Sequence, residues 1–131
     1  SGDRVGVMIE VDCESDFVAR SDPFQEFVQE LKLQITAMSP KVVRVEELDQ
    51  AELEEMRALY KAEAAKAGKP EKILDMIADG RLAKWYQDVV LMEQPYVRDD
   101  SKKIKDVLTE LIGKLGENIV IKRFVRYEVG N

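Results

Sequence analysis

Carboxylates are the one reactive group that this chain carries in quantity. Its 131 residues hold 26 Asp and Glu, no histidine and a single cysteine, Cys13. Without histidine there is no Ser-His-Asp or Cys-His nucleophile pair, no imidazole base and almost no zinc pattern. No Gly-rich loop of the GxGxxG or GxxxxGK kind occurs, so neither cradle for a nucleotide is present. Paired carboxylates could act as acid and base or hold a metal. Glu46-Glu47 and Glu54-Glu55, however, lie in a densely charged helical stretch and read as solvated surface. The lone cysteine rules out an internal disulfide, fits a reducing compartment and reads as a small buried hydrophobe. The residues therefore point to no catalytic group, no metal ligand and no cofactor. They favour binding over chemistry.

The strongest binding feature is Asp16-Phe17, inside Cys13-Glu14-Ser15-Asp16-Phe17-Val18-Ala19-Arg20-Ser21. The alternating run Val5-Gly6-Val7-Met8-Ile9-Glu10-Val11 leads straight into it. A carboxylate and a large aromatic thus sit where a strand hands over to a helix, a junction that projects side chains from a rigid support. Phe17 there either plugs its own core or reaches into a partner, and Asp16 could equally cap a helix.

The elements that must position this corner follow from periodicity. Val5, Val7, Ile9 and Val11 alternate as a strand with one buried face. Ser1-Gly2-Asp3 is turn chemistry before it, as if a hairpin had been cut and the strand's outer edge left open. Ser21 or Asp22 with Pro23 starts a helix whose apolar residues, Phe24, Phe27, Val28, Leu31, Ile35 and Met38, recur at three- and four-residue steps until Ser39-Pro40. Val42–Val45 reads as a short extended piece.

From Leu48 to Val89 the pattern is helical and is broken only at Gly68-Lys69-Pro70, which predicts an antiparallel helical hairpin. Leu48, Met56, Leu59 and Tyr60 are expected to face Ile73, Ile77, Leu82 and Trp85, with small alanines near the tip. Val89–Met92 is expected to be a strand and Gln94–Val97 a bend. Asp100 or Ser101 is then expected to cap a helix presenting Ile104, Val107, Leu108, Leu111, Ile112 and Leu115 and closed by Gly116. Ile119–Val129, dense in β-branched and aromatic residues, is the longest strand candidate. The whole reads as one α+β domain, a small antiparallel sheet covered by helices with the 48–89 hairpin protruding.

At 45% hydrophobic and 35% charged the chain can bury a core. Its net charge is -6, and Lys102-Lys103 and Lys122-Arg123 are only short basic pairs, so neither nucleic acid nor an anionic membrane is an expected partner. No apolar run approaches membrane-spanning length and no signal pattern opens the chain.

Five ordered blocks resemble the bacterial-type elongation factor Ts family. They are Arg4 through Arg20, Gly68-Lys69-Pro70, Gly80-Arg81-Leu82, Glu93-Gln94-Pro95-Tyr96-Val97, and Leu115 through Gly130. Ser15 stands where the family usually has Thr and keeps the hydroxyl. The family's small N-terminal helical module has no counterpart here, and one set of core elements serves where longer members have two. The resemblance implies the short, single-core form, residues 1–131 as one core domain, and the hairpin as the family's coiled-coil protrusion.

It further implies a guanine-nucleotide exchange factor for the translational GTPase elongation factor Tu, with no catalytic chemistry of its own. Asp16 and Phe17, flanked by Ser15 and Val18, would insert beside the switch-region helices of Tu and disturb its Mg2+ site. Leu115 and Gly116 would press on the same domain. Two further readings are a self-association module, in which the sheet forms a homodimer, and a metal-dependent enzyme built on Asp/Glu pairs.

Overall fold

The alternating run becomes β1 (Val5–Asp12) and the β-branched run near the other end becomes β4 (Val120–Glu128). They pair antiparallel, Val5 opposite Glu128 and Asp12 opposite Val120, with a bulge where the register shifts between Glu10 and Val11. The computed structural model describes residues 4–130, so the turn expected at Ser1-Gly2-Asp3 lies outside the described residues. Because strand side chains alternate, Val7, Ile9, Val11, Ile121 and Phe124 turn to the core. Met8, Val125 and Tyr127 are left on the outer face, exposed.

Two helices cover the inner face. Helix α2 (Asp22–Met38) starts with Ser21 as cap and Pro23 in its first turn, where the missing proline N–H costs nothing. Its stripe of Phe24, Phe27, Leu31 and Ile35 is fully buried, and Met38 is half-exposed at the end. Ser39 stops it in the left-handed region, φ 47°. Helix α5 (Ile104–Leu115) adds Ile104 and Leu108. With Val18, Val43, Leu91, Ile119 and Ile121 these make one continuous core.

The helical hairpin consists of α3 (Gln50–Lys66) and α4 (Leu74–Val89), with Gly68 at φ 85° and Pro70 in the turn between them. The arms meet through Ala64 and Ala78, both buried, and Leu82. Leu59 departs from the expected inward set and is half-exposed. The roots of the hairpin run side by side. Val42 bridges Val90 in parallel, and the N–H groups of Leu91 and Met92 donate to the carbonyls of Val42 and Val43 at 2.9 and 3.1 Å.

Three expectations are corrected between α4 and α5. Val89–Met92 is no strand: only Val90 bridges, and a 3-10 turn covers Leu91–Glu93. The expected bend at Gln94–Val97 carries β2 (Pro95–Tyr96), which pairs with β3 (Asp99–Lys103) in a second, two-stranded antiparallel sheet. Asp100 and Ser101 therefore sit in a strand and cap nothing. The Asp99 carboxylate takes up the N–H and hydroxyl of Ser101 at 3.1 and 2.7 Å, and the helix begins only where Asp106 accepts from Lys103 N–H at 2.9 Å. The fold class is α+β as read, with two small sheets instead of one. Among the described residues no helix is long and apolar enough to cross a membrane.

Candidate functional site: the strand-to-helix corner

Beyond Asp12 the chain leaves the sheet and makes one short turn of helix, α1 (Asp16–Ala19). Ser15, not Asp16, is its cap: the Ser15 hydroxyl oxygen accepts from the Val18 N–H at 3.2 Å. The same hydroxyl donates its proton to Glu117 Oε2 at 2.6 Å. Glu117 Oε1 meanwhile accepts the N–H groups of Glu14 and Ser15, each at 3.1 Å. In return the Glu14 carboxylate accepts from the Asn118 N–H. The corner and the turn after α5 thus hold each other by a reciprocal pair of carboxylates, and hydrogen bonds to an ionised acceptor are the strong kind.

The turn that brings Glu117 into place depends on Gly116. It ends α5 at φ 74°, a conformation open to glycine at little cost, and its N–H closes on the Ile112 carbonyl at 2.9 Å. Leu115, half-buried, packs on the core, while Gly116 is exposed. Ser15, Asp16, Phe17, Leu115 and Gly116 are therefore gathered on one side of the molecule by the Glu117 link.

Val18 departs from the expected set. It is only 5% exposed and belongs to the core, so it anchors α1 and offers no contact surface. Its neighbour does the opposite: Phe17 is 86% exposed. The ring does not close the corner, so the reading of Phe17 as a core residue is excluded. The Asp16 carboxylate has no hydrogen-bond or ion-pair partner among the described residues. The corner therefore presents a large aromatic to solvent beside a carboxylate without a partner among the described residues.

Cys13 lies half-buried beside them, donating from Sγ to the Ser15 carbonyl at 3.3 Å. Among the described residues no group of three or more His, Cys, Asp or Glu side chains could hold a metal ion.

The hairpin carries its own electrostatics. Arg57 pairs with Asp79 and reaches Asp75 at 3.6 Å, Lys61 meets Asp75 at 3.0 Å, and Arg81 meets Glu63 at 3.4 Å on the other flank. The hydrogen bond from Lys61, then its charge, holds the Asp75 carboxyl below its ordinary range.

Sequence reasoning missed Glu117 as a positioning residue. It lies 102 residues from Ser15 along the chain, and no local pattern announces the pairing. The fully buried pair Gln34 and Gln94 was missed as well.

The model of the family described as Elongation factor TS matches residues 1–131. Elongation factor Ts of Thermoanaerobacter sp. strain X514 is 52% identical over 130 residues, 99% of this chain and 64% of the relative. That of Coprothermobacter proteolyticus is 50% identical over 127 residues, 97% of this chain and 64% of the relative. That of Solibacter usitatus is 45% identical over 130 residues, 99% of this chain and 61% of the relative. The chain thus spans less than two thirds of the length of these relatives. A match along every residue, together with near 50% identity, leaves one assignment: the chain belongs to the elongation factor Ts family.

Proposed function

We propose that this chain is a guanine-nucleotide exchange factor for elongation factor Tu, acting through the Asp16-Phe17 corner. The observation that carries the reading is the Phe17 ring, almost fully in water on a corner held by Ser15, Glu117 and Val18. An exposed aromatic on a preorganised backbone loses little entropy on docking, which favours it as an anchor.

The mechanism needs no chemistry from this chain. A GTPase holds GDP through phosphate contacts and a Mg2+ ion between phosphates and protein. Insertion of Phe17 beside the switch-region helices, with Asp16 adjacent and Leu115-Gly116 pressing nearby, shifts a helix and spoils that coordination. The coupling is reciprocal: the factor by which this protein weakens GDP binding is the factor by which GDP weakens its own. A thousandfold effect corresponds to about 4 kcal/mol of coupling.

The test is release of fluorescent GDP from a bacterial elongation factor Tu. The parent chain accelerates it, and Phe17→Ala lowers the stimulation roughly 30-fold or more, the equivalent of about 2 kcal/mol at a hot spot. The melting temperature stays close to the parent's. A parent that leaves the release rate unchanged overturns the reading.

Self-association is a second reading, favoured by the outer face of the β1–β4 sheet. Met8 and Tyr127 are 73% and 70% exposed there, with Val125 between them. A symmetric pairing of two such faces would cover them.

A further inference from the structure

Gln34 and Gln94 are the only buried polar side chains in the core of the described residues, both with 0% of their surface exposed. Each uses its whole amide. The Gln34 NH2 group donates to Gln94 Oε1 at 3.2 Å and to the Pro95 carbonyl at 2.9 Å, while Gln34 Oε1 accepts from Val97 N–H at 2.9 Å. The Gln94 NH2 group donates to the Asp88 carbonyl at 2.9 Å and to the Met38 carbonyl at 3.5 Å.

The carbonyls reached are informative. Asp88 is in the last turn of α4, so it belongs to the hairpin, and Met38 ends α2, so it belongs to the body. The parallel pairing of Val42–Val43 with Val90–Met92 ties the hairpin's two roots to each other. Arg44 adds a bond from one root to the β4 carbonyl of Ile121 at 2.6 Å. The chain just beyond α2 also reaches the α4 root, the N–H groups of Lys41 and Val42 donating to the Val89 carbonyl at 2.8 and 3.2 Å, and the two glutamines add the side-chain link from that root to α2 itself.

A buried amide with every donor satisfied is directional, and losing it strands carbonyls in a place that water does not reach. Burial of polar groups where apolar packing would serve as well for stability calls for another role, and here the role is geometric. We propose that Gln34 and Gln94 are the positioning residues that set the angle of the α3–α4 hairpin to the body. Helix α2 runs from just beyond the Asp16-Phe17 corner to this joint, about 25 Å at 1.5 Å per residue. The joint therefore fixes the spacing between the corner and the hairpin. A partner that touches both meets two preset contacts, and the second forms at high effective concentration. That last consequence rests on the exchange reading, whereas the joint does not.

Spin labels at Lys66→Cys on the hairpin and Gln29→Cys on α2, in the full chain with Cys13→Ser, report the angle as a distance distribution. The parent gives one narrow distribution. Gln94→Leu and the shorter amide Gln94→Asn broaden it about twofold or displace it, because freed local segments sample more states. Ile9→Val, a core-facing change on β1 away from the joint, leaves it narrow. Affinity for elongation factor Tu falls about tenfold in the same glutamine variants, as expected for the loss of one preset contact. If the parent fails to bind Tu, the exchange reading falls, and the distance measurement still decides the joint. Folded glutamine variants with the parent's distribution overturn the proposal. Failure of both variants to fold overturns it equally, since it assigns the pair to the stability of the core.

Discussion

Ser15 shows how much one hydroxyl can organise: it closes the first turn of α1 and gives its proton to Glu117. Replacing Ser15 or Glu117 by Ala removes a cap or several charge-assisted bonds. Each should cost about 1–2 kcal/mol of stability, read as a lower melting temperature and faster amide exchange at residues 14–18. Phe17→Ala should differ in kind, with a stability change within about 0.5 kcal/mol because the ring touches little of its own protein. The strand-to-helix corner that carries Asp16-Phe17 is legible in the sequence because such a junction is a local pattern. Glu117, Gln34 and Gln94 were not, because a polar side chain finds its partner only after distant segments meet. Val18 shares the local pattern of its neighbours in the sequence, and only the turn of α1 reveals that adjacent residues face opposite ways.

The hairpin was the most legible element, since Gly68-Lys69-Pro70 both ends one helix and begins the next. At φ 85° Gly68 admits a side chain poorly, and Gly68→Ala should cost about 1 kcal/mol. Ala78→Leu, placed where the arms touch, should cost about 1–3 kcal/mol by overpacking. Both are measurable by thermal melts. The pH response follows from Asp75, whose pKa is depressed by Lys61. A depressed carboxyl contributes stability above its unfolded value and loses it as pH falls through the folded one. The Lys61–Asp75 pair should therefore hold at neutral pH and weaken progressively below about pH 4, with only a small change in the hairpin's stability because the pair is exposed, as followed by thermal melts across that range. The β2–β3 pair was illegible for the opposite reason. Asp99-Asp100-Ser101-Lys102-Lys103 lacks the β-branched and aromatic residues that mark a strand, and tertiary pairing alone makes it one.

For the whole molecule, the α+β class followed from the order of periodic segments, but the number of sheets did not. The outer face of Met8, Val125 and Tyr127 raises the question of a second copy. Under the self-association reading, sedimentation at micromolar concentration with reductant gives a dimer that Tyr127→Glu disperses; a monomeric parent overturns that reading. The β1–β4 register has a kinetic consequence as well. Val5 pairs with Glu128, so this sheet closes a loop of nearly the whole chain, whereas the arms of the hairpin are neighbours in sequence. Local contacts form fast and distant ones slowly. Folding should therefore begin in the hairpin and finish in the sheet, and the bonds between Ser15 and Glu117 can close only at that final step. A nascent chain on the ribosome consequently carries its helical arms early, while the Phe17 corner acquires its shape only after Glu117 and β4 have emerged.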